Sequence, residues 1–178
     1  MKRILFLLLM VVSADMAYAQ EQPKTYSAAD IKKMADDKKI KFNAKKAVLA
    51  TNGSPTTSAV GSGLTDDNIK ILNNPYTIVL TPDSVASYIP YYDKTKTDGV
   101  GTNPNSMIEE DPQKSSAAIS DYAVKQNKKQ HTIITVKPKD GSKITKYVFD
   151  LSPDGTGKVE VTIEDYKIIN YQGSFSSL

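Results

Sequence analysis

The protein has 178 residues, with 23 lysines and arginines against 20 aspartates and glutamates, a net charge of +3, no cysteine and one histidine. Charge this close to balance argues against a basic nucleic-acid-binding surface. The absence of cysteine excludes disulfides and a cysteine nucleophile, so stability has to come from packing and sheet hydrogen bonds.

Residues 1–19 have the pattern of a cleavable secretory signal peptide. Lys2 and Arg3 precede an apolar run over residues 4–12, and the small-residue stretch AYAQ follows at 17–20. The run is shorter than the roughly 20 residues that cross a bilayer, which disfavours the alternative of a retained membrane anchor. We expect cleavage after Ala19, no lipoprotein anchor because no cysteine follows the run, and a periplasmic or secreted chain without a membrane span.

Removal of residues 1–19 takes away two basic residues and one acidic residue, which leaves 21 basic against 19 acidic residues in a chain of 159. That length suits one domain with a sizeable core.

Residues 20–39 are predicted to form a polar segment followed by a short helix. Ser27 is the expected N-cap, and Asp30 lies where a carboxylate favours the helix dipole. One narrow apolar face is expected to dock on the rest of the domain, and it comprises Ile31, Met34 and Ala35.

Residues 40–178 are predicted to form a single β domain, which begins with a strand over 40–50. Two long loops are expected, at about 51–67 and 93–116, and each is either functional or disordered. Between them, residues 69–72 are predicted as a short strand and residues 76–90 as two strands around the turn TPDS at 81–84.

The last third of the chain contains five alternating runs separated by turn sequences such as Asp-Gly, which is the strongest short-range signal of a hairpin. In one run Val159, Val161 and Ile163 point to one face, while charged residues and Thr162 point to the other. The predicted fold is therefore mainly β (α+β): a single curved antiparallel sheet or meander, curled as far as a half-barrel in its most closed form, with one short N-terminal helix.

A tyrosine cluster at the end of the run SVASYIPYYD, residues 84–93, is the candidate binding site. Strict alternation places Tyr91 on the face of Val85, Ser87 and Ile89, Tyr88 on the other face, and makes Tyr92 the candidate for exposure. Pro90 is expected to end regular pairing. The candidate ligand- or partner-binding residues are Tyr88, Tyr91, Tyr92 and Asp93. The alternative is structural: Tyr88 and Tyr91 close the open end of the core.

Catalytic constellations are sparse. His131 is the sole histidine and reads as a polar residue at a strand end, and there are too few ligands for structural zinc, so we expect no cofactor and no metal. The loop carboxylates Asp93 and 109–111 keep open an acid-base alternative.

The order of these features resembles domain-of-unknown-function family 4251, small exported proteins found mainly in Bacteroidota. The stretch IPYYD, residues 89–93, is similar to the family's Leu-Pro-Tyr-Phe-Gly type motif, and INYQGSF at 169–175 is similar to its terminal Tyr-x-Gly strand. Asp93 stands where the family usually has glycine. The resemblance covers about residues 40–175, supports the fold and the compartment, and implies no catalytic residue.

These observations predict a non-enzymatic exported protein that binds an envelope protein, a glycan or a small hydrophobic ligand. Two alternatives stay open. One is a lipid carrier that holds an acyl chain on the concave face of the sheet, and the other is a cell-envelope hydrolase that uses loop carboxylates.

Overall fold

The computed structural model describes residues 24–49, 69–93, 108–164 and 167–178. Within these ranges the chain forms one helix and eight strands: α1 (Ala28–Asp36), β1 (Ile40–Leu49), β2 (Ile69–Leu80), β3 (Ser84–Asp93), β4 (Ile108–Gln126), β5 (Thr132–Pro138), β6 (Ile144–Leu151), β7 (Thr156–Ile163) and β8 (Lys167–Ser177). Each strand pairs antiparallel with the next, as the predicted meander requires.

The sheet closes into an eight-stranded barrel, so the expectation of an open sheet or half-barrel is wrong. Closure comes from β1 and β8, which pair antiparallel from Ile40 opposite Ser177 to Leu49 opposite Ile169. Alternation reveals which face of a strand is buried, but it does not reveal which strand lies beside it. The pairing of the first strand with the last therefore cannot be predicted from the sequence pattern.

Two strand boundaries also differ from the prediction. Residues 69–72 are the start of β2 rather than a separate strand, and residues 108–116, assigned to the second long loop, form the first half of β4. This half of β4 carries polar residues on both faces and, among the described residues, pairs with a strand on only one side, so it lacks the apolar period that marks a half-buried strand. The first predicted loop, 51–67, and residues 94–107 of the second lie outside the described residues.

The barrel interior is apolar and continuous. In β7 the inward residues Val159 and Val161 are fully buried and Ile163 is partly buried, as the alternation predicts. The buried cluster draws on β1, β2, β3, β5, β6, β7, β8 and the helix, and its largest members are Tyr147, Tyr171, Phe42, Phe149, Ile31 and Ile40.

Helix α1 covers the end of the barrel at which β1 begins, and we call this the helix end. The predicted cap is present: the Ser27 hydroxyl accepts from the Asp30 N–H at 3.0 Å, and the Asp30 carboxylate accepts from the Ser27 N–H at 3.2 Å. Ile31, Met34 and Ala35 are buried against the barrel core, which confirms the predicted face.

Tyr122 of β4 joins the helix to the barrel wall. Its hydroxyl donates to the carbonyl of Ala35 in the last turn of α1, which also accepts from the Lys38 N–H at 3.0 Å. Burial, and secondarily the Asp36 carboxylate, raise the pKa of Tyr122 above its ordinary value, so this phenol stays protonated and keeps donating.

The connections at the helix end are tight turns. Between β2 and β3, the Thr81 hydroxyl accepts from the Ser84 N–H at 3.1 Å, inside the predicted TPDS turn. Between β4 and β5, Gln130 adopts a φ of 63°, and between β6 and β7 Gly155 adopts a φ of 80°. The two longest connections, residues 50–68 and 94–107, join strands at the opposite end of the barrel, where β3 ends and β4 begins.

Candidate partner-binding site

The pairing between β3 and β4 continues beyond the pairing of β3 with β2 and of β4 with β5. The pairing of β2 with β3 stops at Thr77 opposite Tyr88, whereas β3 and β4 stay paired as far as Asp93 opposite Ile108. Among the described residues, no third strand pairs with this segment, so its ladder is two-stranded; β2 continues to Ile69 but pairs there with β1. We call residues 89–93 and 108–113 the β3–β4 ribbon.

The ribbon holds three of the four predicted site residues, and its backbone is regular apart from one irregularity. Regular pairing is interrupted at Pro90, as expected, but it does not end there: Ile89 lies opposite Gln113, and after a shift of register Tyr91 lies opposite Glu110. The extra residue is on β4, next to Pro112. Because proline has no N–H to give to the ladder, a bulge is where a strand tolerates it.

The ribbon places the tyrosines opposite acidic residues. Tyr91 pairs with Glu110, Tyr92 with Glu109 and Asp93 with Ile108, and directly opposite residues of an antiparallel pair share a face. The structure describes only the backbone of Tyr91, Tyr92 and Asp93, so the predicted exposure of Tyr92 and the predicted inward direction of Tyr91 fall outside the described side chains.

Tyr88 lies just before the ribbon, on the outer face of β3. Its neighbours Val85, Ser87 and Ile89 are buried, which confirms their predicted common face, while Tyr88 is partly exposed. The Tyr88 ring lies 5.6 Å from the ring of Tyr76. It therefore both packs on the edge of the core and presents aromatic surface outside.

A cation also lies near Tyr88. The Lys114 ammonium is 5.9 Å from the centre of the Tyr88 ring, at the outer limit of a cation–π contact, which is worth about 0.5–1 kcal/mol at exposed sites. Tyr88 is thus linked to β4 through a side chain that the sequence analysis did not single out.

The base of the ribbon is anchored from inside the barrel. The hydroxyl of Tyr171 on β8 donates to the Pro90 carbonyl at 2.5 Å, and the hydroxyls of Ser87 and Tyr147 are 3.0 Å apart. Satisfying these buried polar groups fixes β3 immediately before its tyrosines. No local pattern signals the Tyr171 bond, because Tyr171 and Pro90 are 81 residues apart.

His131 lies at the helix end, away from the ribbon. Its Nδ1 is 2.8 Å from Oδ1 of Asp150 on the neighbouring strand, which is consistent with the expected polar strand-end role.

The two alternative functions need other features. A lipid carrier needs free space inside the barrel, whereas the inward side chains that the structure describes pack together in one buried cluster. The hydrolase needs paired carboxylates. Asp93 lies opposite Ile108, the residue before Glu109, but the structure does not describe the side chains of Asp93 and Glu109. Within the described ranges, no three histidine, aspartate or glutamate side chains are grouped to hold a metal ion.

The geometry defines a class: an eight-stranded antiparallel barrel that is covered at one end by a short helix and extended at the other by a two-stranded ribbon. The family model described as "Domain of unknown function (DUF4251)" matches residues 22–175. The chain belongs to this family, as its resemblance predicted.

A solved structure agrees with this assignment. The chain is similar to a DUF4251 family protein from Bacteroides eggerthii DSM 20697 known from a crystal structure, with 11% identity and a TM-score of 0.57 over 84% of this chain and 87% of that one. At this identity the likeness concerns the fold alone. A comparison with curated proteins found no match, and no helix in the described ranges is long and apolar enough to cross a membrane.

Proposed function

We propose that this chain is an exported, non-enzymatic protein that binds a partner with the β3–β4 ribbon. The observation that carries the proposal is that β3 and β4 stay paired past their pairing with β2 and β5. In this segment Tyr91 and Tyr92 lie opposite Glu110 and Glu109, and among the described residues no third strand pairs with them. Tyrosine combines apolar area with a polar tip, which suits a surface that is wet before binding.

The packing of the barrel supports the same proposal. Its described interior is a hydrophobic cluster covered by α1 at one end, so the surface that is left for recognition lies on the outside and at the ribbon. Tyr171 holds Pro90 from within, so the ribbon leaves the barrel from a fixed point. A fixed base lowers the entropic cost of binding.

Export rests on the sequence pattern of residues 1–19. Fractionation of cells that express the full chain, followed by N-terminal sequencing of the periplasmic and external fractions, tests it. A chain beginning at Gln20 is the expected product, and an unprocessed chain in the cytoplasmic fraction contradicts export.

The binding role is tested by quantitative capture from periplasmic extract of the producing bacterium. The baits are the wild type, the double variant Tyr91→Ala, Tyr92→Ala, and the control Lys128→Ala, Lys129→Ala in the turn at the helix end. We expect at least one protein to be enriched by the wild type and the control but lost, by roughly tenfold or more, with the tyrosine variant, because interface tyrosines often contribute 2 kcal/mol or more. Equal recovery with all three baits would remove the tyrosines from the site.

A further inference from the structure

The outer edge of β4 is open next to the ribbon. Residues 114–118 pair with β3 on one side, but pairing with β5 begins only at Ile119 opposite Pro138. Among the described residues, no strand lies against the other side of this stretch. An open edge is a template for a further strand unless something blocks it.

The hydrogen-bond alternation shows which backbone groups face this opening. The Ile119 N–H donates to the Asp83 carbonyl at 3.1 Å, so odd-numbered residues of this half of β4 turn their N–H and C=O groups to β3. Even-numbered residues turn theirs outward, and the Ala118 carbonyl indeed accepts from the Lys139 N–H at 2.8 Å. The N–H and C=O groups of Lys114 and Ser116 are left on the open edge.

A groove runs beside these groups. It lies between residues 114–118 and the β5–β6 turn at residues 139–143, and its volume is about 480 Å³. Three lysines and one aspartate are among its lining residues: Lys114, Lys139, Lys143 and Asp140. In the described part of the chain, neither Lys139 nor Lys143 has an ion-pair partner, so the groove is positively charged.

We propose that this groove binds an extended acidic segment of a partner protein, which adds to the barrel as a strand along β4. Backbone groups of Lys114 and Ser116 would pair with the segment, and the three lysines would select carboxylates on it. This inference rests on the proposed function, since it names the kind of partner that the neighbouring ribbon binds.

The spacing of the groups favours a strand over a small anion. Donors and acceptors that repeat every second residue along an edge match only another extended backbone, and five residues of strand give roughly 17 Å of pairing. The lysines also make a second copy of this edge a poor occupant, because like charges would face each other across the new pair.

Binding is measured with an eight-residue fluorescent peptide of alternating glutamate and valine. Its matched controls are the same peptide with lysine in place of glutamate and the same peptide with N-methylated backbone amides. We expect binding by the acidic peptide, weakened by raising salt from 0.05 to 0.5 M, and at least tenfold weaker binding by both controls. Binding of the N-methylated peptide at full strength would overturn strand addition, and binding of the lysine peptide at full strength would overturn charge selection.

Two pairs of variants locate the site. Ser116→Pro removes the outward N–H while sparing the bonds to β3, and we expect it to abolish peptide binding, whereas Ser116→Ala should bind like the wild type. Lys139→Gln, Lys143→Gln should weaken binding roughly three- to twentyfold, as expected for two exposed ion pairs, while Lys128→Gln, Lys129→Gln should not.

Amide hydrogen exchange separates a structural failure from a binding failure. The Ser116 N–H should exchange quickly in the free wild-type protein and slow down at least tenfold with the acidic peptide, while amides of the β3 ladder stay protected in all variants. An unchanged Ser116 rate under saturating peptide refutes the inference. If the peptide fails but capture still depends on Tyr91 and Tyr92, only the strand-addition inference falls; if the peptide binds and capture is independent of them, the ribbon proposal falls.

Discussion

Replacement of Gly173 by alanine should break the seam that closes the barrel. Gly173 lies in β8 opposite Ala44 of β1, where β1 carries one extra residue, Lys45, against β8. A Cβ on residue 173 would lie 1.9 Å from the Asn43 carbonyl oxygen and 2.9 Å from the carbonyl carbon. Both are backbone atoms, so no side-chain rotation can relieve the contact.

The cost follows from these distances. Cβ atoms essentially never approach closer than 3.0 Å, so the backbones of β1 and β8 would have to separate by at least 1.1 Å at Gly173, where the contact is now 1.9 Å. Overpacking costs about 1–3 kcal/mol and more when backbone must move. A buried methyl group returns about 0.8 kcal/mol at most. We expect Gly173→Ala to lower the free energy of unfolding by about 2–3 kcal/mol.

The barrel supplies a matched control in Gly157, which faces Gly173 directly across the β7–β8 pair. A Cβ on residue 157 would lie 3.1 Å from a methyl of Leu151, whose side chain can yield, and 3.4 Å from the Phe42 ring. Gly157→Ala should therefore change stability by no more than about 1 kcal/mol, with the gain from a less flexible unfolded chain offsetting part of the strain.

Urea unfolding of both variants and the wild type, followed by circular dichroism and tyrosine fluorescence, measures the difference. At this chain length a loss of 2–3 kcal/mol should lower Tm by roughly 4–12 °C. If Gly173→Ala costs less than about 1 kcal/mol, or if Gly157→Ala costs as much, the close approach of β1 and β8 is not what requires glycine at this position.

Two further predictions concern the turns at the helix end. Gln130 has a φ of 63°, and its N–H donates to the Asn127 carbonyl at 3.0 Å. Gln130→Gly should stabilise the protein by about 0.5–1 kcal/mol in urea unfolding, because glycine removes a left-handed penalty of about 1–2 kcal/mol and loses part of that gain in chain entropy. A loss of stability would contradict the turn geometry. The Thr156 hydroxyl and N–H, which both donate to the Asp154 carboxylate, hold the pKa of Asp154 below its ordinary value of 3.8, so Thr156→Val should raise that pKa toward 3.8 in a carboxyl-carbon NMR titration. Because the folded-state pKa of Asp154 is depressed, the stabilisation that its carboxylate provides is present above about pH 4 and is lost as pH falls through the folded pKa. In Thr156→Val this loss of stability should be smaller. An unchanged Asp154 pKa in the variant would show that the Thr156 hydroxyl does not lower it.

The elements that could be predicted from the sequence are those with complete local signals. Helix α1 has its cap in Ser27 and Asp30 and its buried face in Ile31, Met34 and Ala35, all within nine residues. In the last third, β5 alternates strictly between buried and less buried residues, and the turns before β5, β6 and β7 contain asparagine or glycine. In each case, the residues that decide the structure are neighbours in the chain, so a single sequence is enough to read them.

The seam and the ribbon could not be predicted for a common physical reason. Closure depends on the absence of a Cβ at Gly173, next to the Asn43 backbone, and the base of the ribbon depends on a hydrogen bond from Tyr171 to Pro90. The two residues of each pair are distant in the chain. In the first half of β4 the signal was absent rather than distant. A strand with one open edge and polar residues on both faces lacks the alternating apolar residues by which a strand is predicted from sequence.

The ends of β3 and β4 that form the ribbon lie beyond the described core contacts of β3. Val85, Ser87 and Ile89 are the residues of β3 that are buried in the core, and the Tyr171 hydroxyl donates to the carbonyl of Pro90 immediately after them. Beyond that point, among the described residues, the two strands pair only with each other, so no neighbouring strand constrains the edges of the ladder there. The proposed recognition of a partner would account for tyrosines and carboxylates on this segment and for lysines along the outer edge of β4, and the capture and peptide experiments decide whether it does.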